Sequence, residues 1–270
     1  MIREGHDSKM NITKSFKTSD GLQISYEDLG QGRPIFFIHG WAATGQFWRN
    51  QLTQLSPRFR TVAVDLRGHG DSSKELDVDY SIERMSEDVA ELIDLLALRD
   101  YMLVGHSMGG AIAARCAARH EGSAGLVFTG VSLRLEGDLS ILSLEILMRF
   151  RGLAEKVVTP RMFGPHSDEA LLDFVRKQSA KSPANVLLRV AEQIANTDLS
   201  ADIKQLRIPS MVVTGEFDSV VPPAQQKEFA ERLKARFVVL KDVGHNLMLE
   251  KPNEFGQLVG DFASSLAPIS

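Results

Sequence analysis

Short, almost wholly apolar runs recur along the chain at Pro34–Ile38, Thr61–Val64, Tyr101–Val104, Leu126–Thr129, Ser210–Thr214 and Arg236–Leu240. Each has the length of a strand and none alternates with polar residues, which suits strands buried on both faces. Helical periodicity fills the intervals. After Ser81, a good N-cap, apolar residues fall at Met85, Val89, Leu92 and Leu96, one face of a helix. Pro223 and Pro252 open two further helices at a position where the missing N–H costs nothing, and Phe255, Leu258, Val259 and Phe262 form the buried face of the second. Strands alternating with helices predict βαβ units and an α/β fold with a mainly parallel sheet. Before them, the alternation from Phe16 to Glu27 predicts two strands around Asp20-Gly21, a dipeptide that tight hairpins favour.

One stretch departs from this alternation. Residues 131–197 carry helical patterns and no convincing strand, punctuated by Gly152, Pro160, Gly164-Pro165 and Pro183. A helical insertion between two parallel strands sits at an end of the sheet, and at the carboxyl end it would cover the ligand crevice. The expected organisation is a core of residues 1–130 and 198–270 with a helical cap, or lid, at 131–197. The plainer alternative is that these helices extend the core.

Bulk properties narrow the function. The 270 residues carry a formal net charge of −4 with no basic block, which argues against a nucleic-acid partner. Cys116 is the only cysteine, so no internal disulfide is possible. Met1 to Ser15 is polar and lacks the apolar core of a signal peptide, and no apolar run is long enough to span a bilayer. A cytoplasmic protein, monomer or homodimer, is the expectation.

The chemistry concentrates at Val104-Gly105-His106-Ser107-Met108-Gly109-Gly110, which follows a strand and precedes an Ala-rich helical stretch. This fits G-x-S-x-G, the nucleophile elbow of α/β-hydrolases. A serine hydroxyl is a poor nucleophile, so Ser107 must be exposed beside a base, and the sharp turn that exposes it requires tiny neighbours. Two N–H donors must face the oxyanion that forms. Met108, next to the serine, is expected to supply one. Trp41, after the strand that ends in Ile38-His39-Gly40, is the best candidate for the other. His39 itself reads as a brace for that loop.

Of the seven histidines, His245 suits the base, because it lies in a loop just after the strand ending at Leu240. The acid is expected after the preceding strand, in Thr214-Gly215-Glu216-Phe217-Asp218. Asp218 is favoured there; Glu216 is the local competitor and Asp242 a weaker one. The polar segment Asp65-Leu66-Arg67-Gly68-His69-Gly70-Asp71-Ser72 reads as structural, with Asp65 and Arg67 tying loops together. Cys116 reads as a small buried hydrophobe. No cluster has metal-ligand spacing, so neither metal nor organic cofactor is expected.

Taken in order, His39-Gly40-Trp41, Asp65 to Gly70, Gly105 to Gly110, Gly215 to Pro222 and Gly244-His245 resemble the landmarks of the α/β-hydrolase superfamily. That resemblance implies a mostly parallel eight-stranded sheet with helices on both faces and a variable helical cap ahead of the acid. It is nearest to small capped serine carboxylesterases, including acyl-carrier-protein methyl ester esterases and enol-lactone hydrolases. Branches with an aspartate nucleophile do not match, because position 107 is serine. Carbon–carbon bond hydrolases of ring-cleavage products, cofactor-free haloperoxidases and small-molecule receptors of little turnover share the triad and stay open as alternatives. The implied reaction is hydrolysis of a small-molecule ester, lactone or thioester through an acyl-enzyme. Met148, Phe150, Met162 and Phe163 are candidate walls of an apolar acyl pocket, or else the cap's own core; Arg149, Arg151 and Arg161 would meet an anionic tail or form a solvated face.

Overall fold

The computed structural model describes residues 13–134, 162–195 and 197–268. The first two strands, β1 (Thr13–Lys17) and β2 (Gln23–Leu29), pair antiparallel as expected, with Lys17 opposite Gln23. The connection is a five-residue loop rather than a tight two-residue turn. Gly21 takes φ +93°, and the Asp20 carboxylate is drawn away by Thr18 Oγ1 at 2.6 Å and by Arg67, whose Nη1 and Nη2 reach it at 3.0 and 3.1 Å. Within the loop a tight turn still forms around Asp20, with Gly21 N donating to Thr18 O at 2.9 Å and Thr18 N to Leu22 O at 2.8 Å.

The apolar runs become β3 (Pro34–Ile38), β4 (Arg60–Val64), β5 (Tyr101–His106), β6 (Ser123–Thr129), β7 (Ser210–Gly215) and β8 (Arg236–Leu240). With the first hairpin they form an eight-stranded sheet of order β1-β2-β4-β3-β5-β6-β7-β8, parallel from β4 onward. The helices are α1 (Arg49–Leu55), α2 (Ile82–Leu95), α3 (Met108–Arg119), α4 (Glu169–Ser179), α5 (Ala184–Ile194), α6 (Ser200–Gln205), α7 (Pro223–Leu233), α8 (Leu247–Glu250) and α9 (Pro252–Ser265). Ser81 caps α2, its hydroxyl accepting from Arg84 N at 3.1 Å.

Strand periodicity divides the core in two. Phe36, Ile38, Leu103 and Phe128 point to the face covered by α2 and α3, where Met85, Val89, Leu92 and Ile112 meet them. Ile35, Phe37, Met102 and Val104 point to the opposite face, against Leu52 of α1 and Phe255, Val259 and Phe262 of α9. Both faces of the central strands are covered, which is why their sequences are continuously apolar.

The strand order also locates a crevice. From β3 the chain moves outward to β4, then crosses back to β5 on the other side of β3. The loops leaving the carboxyl ends of β3 and β5 thus diverge, and such a switch point is where open α/β sheets place ligands. Trp41 follows β3 and Ser107 follows β5. Helices α4 and α5 stand between β6 and β7 in the chain, within the stretch expected to be helical.

Candidate active site

Ser107 joins β5 directly to α3, with φ +53° and ψ −120°. Side chains rarely adopt this conformation, and it is held by surrounding backbone. Ser107 N donates to Thr129 O at the end of β6, at 2.8 Å. The neighbouring glycines are a steric requirement. A Cβ on Gly105 would lie 2.4 Å from Gly109 O, and one on Gly109 would lie 2.3 Å from Ile38 O. Met108 is the first residue of α3, so its N–H has no acceptor within the helix and lies at the positive end of the helix dipole.

The loop after β3 runs beside the elbow: a Cβ on Gly40 would sit 3.1 Å from Ser107 Cβ. Trp41 is half-buried, and its indole Nε1 donates to Leu187 O of α5 at 2.8 Å. His39 braces this loop as expected. Its Nδ1 donates to Gly40 O at 2.7 Å and its Nε2 accepts from Leu66 N at 3.0 Å, which fixes one neutral tautomer. Burial lowers its pKa to about 4. His69 packs edge-on against it with ring centroids 5.1 Å apart, and burial lowers that histidine to about 3.

Asp218 and His245 meet in the loops after β7 and β8. His245 Nδ1 lies 2.9 and 3.1 Å from the two Asp218 carboxylate oxygens, and both side chains are essentially fully buried. Asp218 Oδ1 also accepts from Val220 N at 3.0 Å and Val221 N at 2.9 Å, while Oδ2 accepts from Gln226 Nε2 at 2.8 Å. The two local competitors are elsewhere. Glu216 pairs with Lys241 Nζ at 2.7 Å, which holds its carboxyl below the usual range, and Asp242 is exposed.

The imidazole of His245 is enclosed by two neighbours of the elbow. His106 stacks on it at a tilt, ring centroids 4.6 Å apart, and donates from Nε2 to His245 O at 3.1 Å. Burial and the nearby His245 ring push the His106 pKa well down. Gly130 also lies against the ring: it takes φ +65°, and a Cβ there would lie 2.5 Å from His245 Cε1. His106 precedes Ser107 and Gly130 follows Thr129, whose carbonyl accepts from Ser107 N, so both contacts of the histidine adjoin the elbow.

Met162 and Phe163 adjoin this site differently from each other. Met162 O accepts from His245 N at 2.9 Å and Asn246 N at 3.3 Å, and the Met162 side chain is half-buried. Phe163 is buried in a small apolar cluster with Ala43, Phe47 and Val175. Met148, Phe150, Arg149, Arg151 and Arg161 lie outside the described residues. Sequence reasoning overlooked Gln226 and Glu250. The Glu250 carboxylate gathers Gly244 N at 2.9 Å, Gly164 N at 2.7 Å and Ser167 Oγ at 3.0 Å, tying residues 164–167 to the histidine loop. Burial raises its pKa. Nothing in local spacing marks either residue, because their partners are distant in sequence. Cys116 is buried and its thiol is pushed up to about 12 by that burial, consistent with a packing role.

Residues 35–258 match the family model described as the alpha/beta hydrolase family. The chain belongs to that family. Among its relatives, a non-heme haloperoxidase of Rhodococcus erythropolis is 31% identical over 85% of this chain and 91% of its own. A pimeloyl-[acyl-carrier protein] methyl ester esterase of Aeromonas hydrophila is 26% identical over 89% of this chain and 99% of its own. The solved structure of the enol-lactonase from Burkholderia xenovorans LB400 superposes with TM-score 0.86 at 25% identity, covering 93% of this chain and all of that one, 100%. As an α/β-hydrolase with such neighbours, this protein is a hydrolase. No helix among its described residues is long and apolar enough to cross a membrane, and none of its described His, Cys, Asp and Glu residues group in threes fit to hold a metal ion.

Proposed function

We propose that this α/β-hydrolase cleaves carboxylic esters, or the related lactones and thioesters, of small to medium, largely apolar acyl groups. Ser107 is the nucleophile, His245 the base and Asp218 the acid. The observation that carries the reading is the buried Asp218–His245 pair, whose imidazole leans on His106, the residue before Ser107, and on Gly130, the residue after the Thr129 that accepts from Ser107 N.

In this reading Ser107 Oγ attacks the ester carbonyl carbon while His245 Nε2 takes the hydroxyl proton. Asp218 holds the imidazole by Nδ1–H and stabilises its charged form. The N–H groups of Met108 and Trp41 receive the oxyanion, each donor being worth about 10²–10³ in rate. His245 returns the proton to the departing alkoxide, leaving an acyl-enzyme. Water, deprotonated by His245, then attacks the acyl carbon and restores Ser107. Residues 131–197 serve as the lid over this crevice. Support for that comes from the Trp41 indole bond to Leu187 O of α5 and from Met162 O bonded to the histidine loop. Met162, whose carbonyl meets the His245 backbone while its side chain packs on the apolar cluster of Ala43, Phe47 and Phe163, supports an apolar acyl site nearby.

The test pairs wild type with Ser107→Ala on p-nitrophenyl esters of increasing acyl length. Multiple turnovers by wild type alone establish Ser107 hydrolysis, and the length profile measures the pocket. If neither protein hydrolyses any ester, the ester reading fails, and carbon–carbon cleavage or ligand sensing replaces it.

A further inference from the structure

Gln226 lies one turn into α7, eight residues beyond Asp218, with relative exposure 0%. Both ends of its amide are bonded. The two Nε2 hydrogens go to Asp218 Oδ2 and Val221 O, both at 2.8 Å, and Oε1 accepts from Gly130 N at 2.9 Å. Two acceptors on one side and one donor on the other leave a single orientation for the group, since a flipped amide would set oxygen against oxygen twice. A buried amide bonded at both N–H groups and at its oxygen is a rigid connector.

What it connects are the two surfaces that define the imidazole's place. One end holds the carboxylate that grips His245 Nδ1; the other holds Gly130, the backbone on which the His245 ring rests. With Val220 N and Val221 N on Oδ1 and Gln226 on Oδ2, the Asp218 carboxylate can turn only by breaking a bond. The connector is also neutral. A cation there would cancel the charge that Asp218 lends to the protonated imidazole, whereas an amide orients the carboxylate and leaves its charge intact.

We propose that Gln226 is a positioning residue for the reaction, acting through Asp218 and Gly130 to hold the base in register with Ser107. The proposal rests on the Ser107–His245–Asp218 reading above. Gln226→Met removes the polar end at similar volume. Gln226→Glu keeps the oxygen for Gly130 N but sets a second carboxyl against Asp218. His106 and Glu250 are the other titratable side chains packed about the pair and are unchanged in both variants.

The expected result for Gln226→Met is a fall in kcat of about 10–100-fold, as a misplacement of the order of 1 Å would give, with KM within threefold. Its acid limb of kcat/KM should move to higher pH, because a carboxylate with fewer donors favours the protonated imidazole more strongly. Gln226→Glu should approach wild type at the acid end of its range, where the introduced carboxyl is protonated and donates to Asp218, and fall behind as that carboxyl ionises. Thermal melting at each pH verifies that the variants are folded; if Gln226→Met does not fold, Gln226→Glu decides. Folded variants with wild-type kcat and an unchanged pH profile overturn the proposal while the ester reading stands. If wild type itself shows no ester turnover, the ester reading fails separately. The proposal is then decided by the low-field proton resonance of His245 Nδ1–H, assigned by its loss in His245→Ala. Its disappearance in Gln226→Met supports a positioning role, and its persistence unshifted overturns it.

Discussion

At the scale of single residues, the site depends on groups that are buried yet fully bonded. Asp218 accepts from two backbone N–H groups, from Gln226 and from His245, so the cost of burying its charge is offset by donors at every side. Asp218→Asn is nearly isosteric, but with Val220 N and Val221 N on its oxygen its Nδ2 would face the Gln226 amide donor, so the melting temperature should fall by several degrees with the fold retained. Its amide would present N–H to Nδ1 and favour the imidazole tautomer with the proton on Nε2, where the base must be free. Ester hydrolysis should then fall about 10⁴-fold in kcat with KM little changed. Steady-state kinetics at pH 7.5 check this, and a loss below tenfold would remove Asp218 from the role. At the same scale Glu216, two residues away, is engaged elsewhere: its carboxylate pairs with Lys241 on the surface.

Elements, rather than residues, shape the corner around Ser107. There β5 and α3 meet at Gly105 and Gly109 with backbone in contact, and β3 carries its loop against the same corner. Helix α5 is anchored to that loop by the Trp41 indole. Trp41→Phe removes this anchor but keeps the backbone N–H proposed for the oxyanion. The expected outcome is a several-fold rise in KM with kcat within about threefold, since the lost interaction belongs to binding and not to the transition state. A kcat loss of 10² or more would mean instead that the indole sets the position of the oxyanion loop.

The molecule as a whole carries a pH dependence written in its buried histidines. His39 and His69 are held neutral by burial, with pKa values lowered from 6.5 to about 4 and about 3. Below pH 6.5 the unfolded chain takes up protons at these positions while the folded protein does not, so stability is lost as pH falls from about 6.5 toward those values. At one pKa unit per 1.36 kcal/mol, moving from pH 7 to pH 5 costs on the order of 2 kcal/mol for each. His106, also lowered, adds in the same direction. The raised carboxyls of Glu250 and Asp65 act with the opposite sign just above their ordinary range and offset part of the loss. Urea unfolding at pH 7.5, 6 and 5 should show a falling midpoint; a flat profile would mean that these histidines accept protons in the folded state.

Apolar runs and helix periodicity were enough to specify the sheet, its parallel sense and the two faces of its core, because burial on both sides demands continuous apolar strands and each helix must lay one stripe against them. Ser107 and His245 could be picked out as candidates for a related reason: a crowded turn admits only glycine at Gly105 and Gly109, and the loop after β8 brings His245 against His106, the residue before Ser107. The pairing of Glu216 with Lys241 and the bonds of Gln226 and Glu250 were not legible. Each depends on partners brought together from distant parts of the chain, Lys241 to Glu216, Gly130 to Gln226, Gly164 to Glu250. Local sequence carries the steric and hydrophobic rules that build elements, while the matching of a buried donor to its acceptor exists only once those elements have packed.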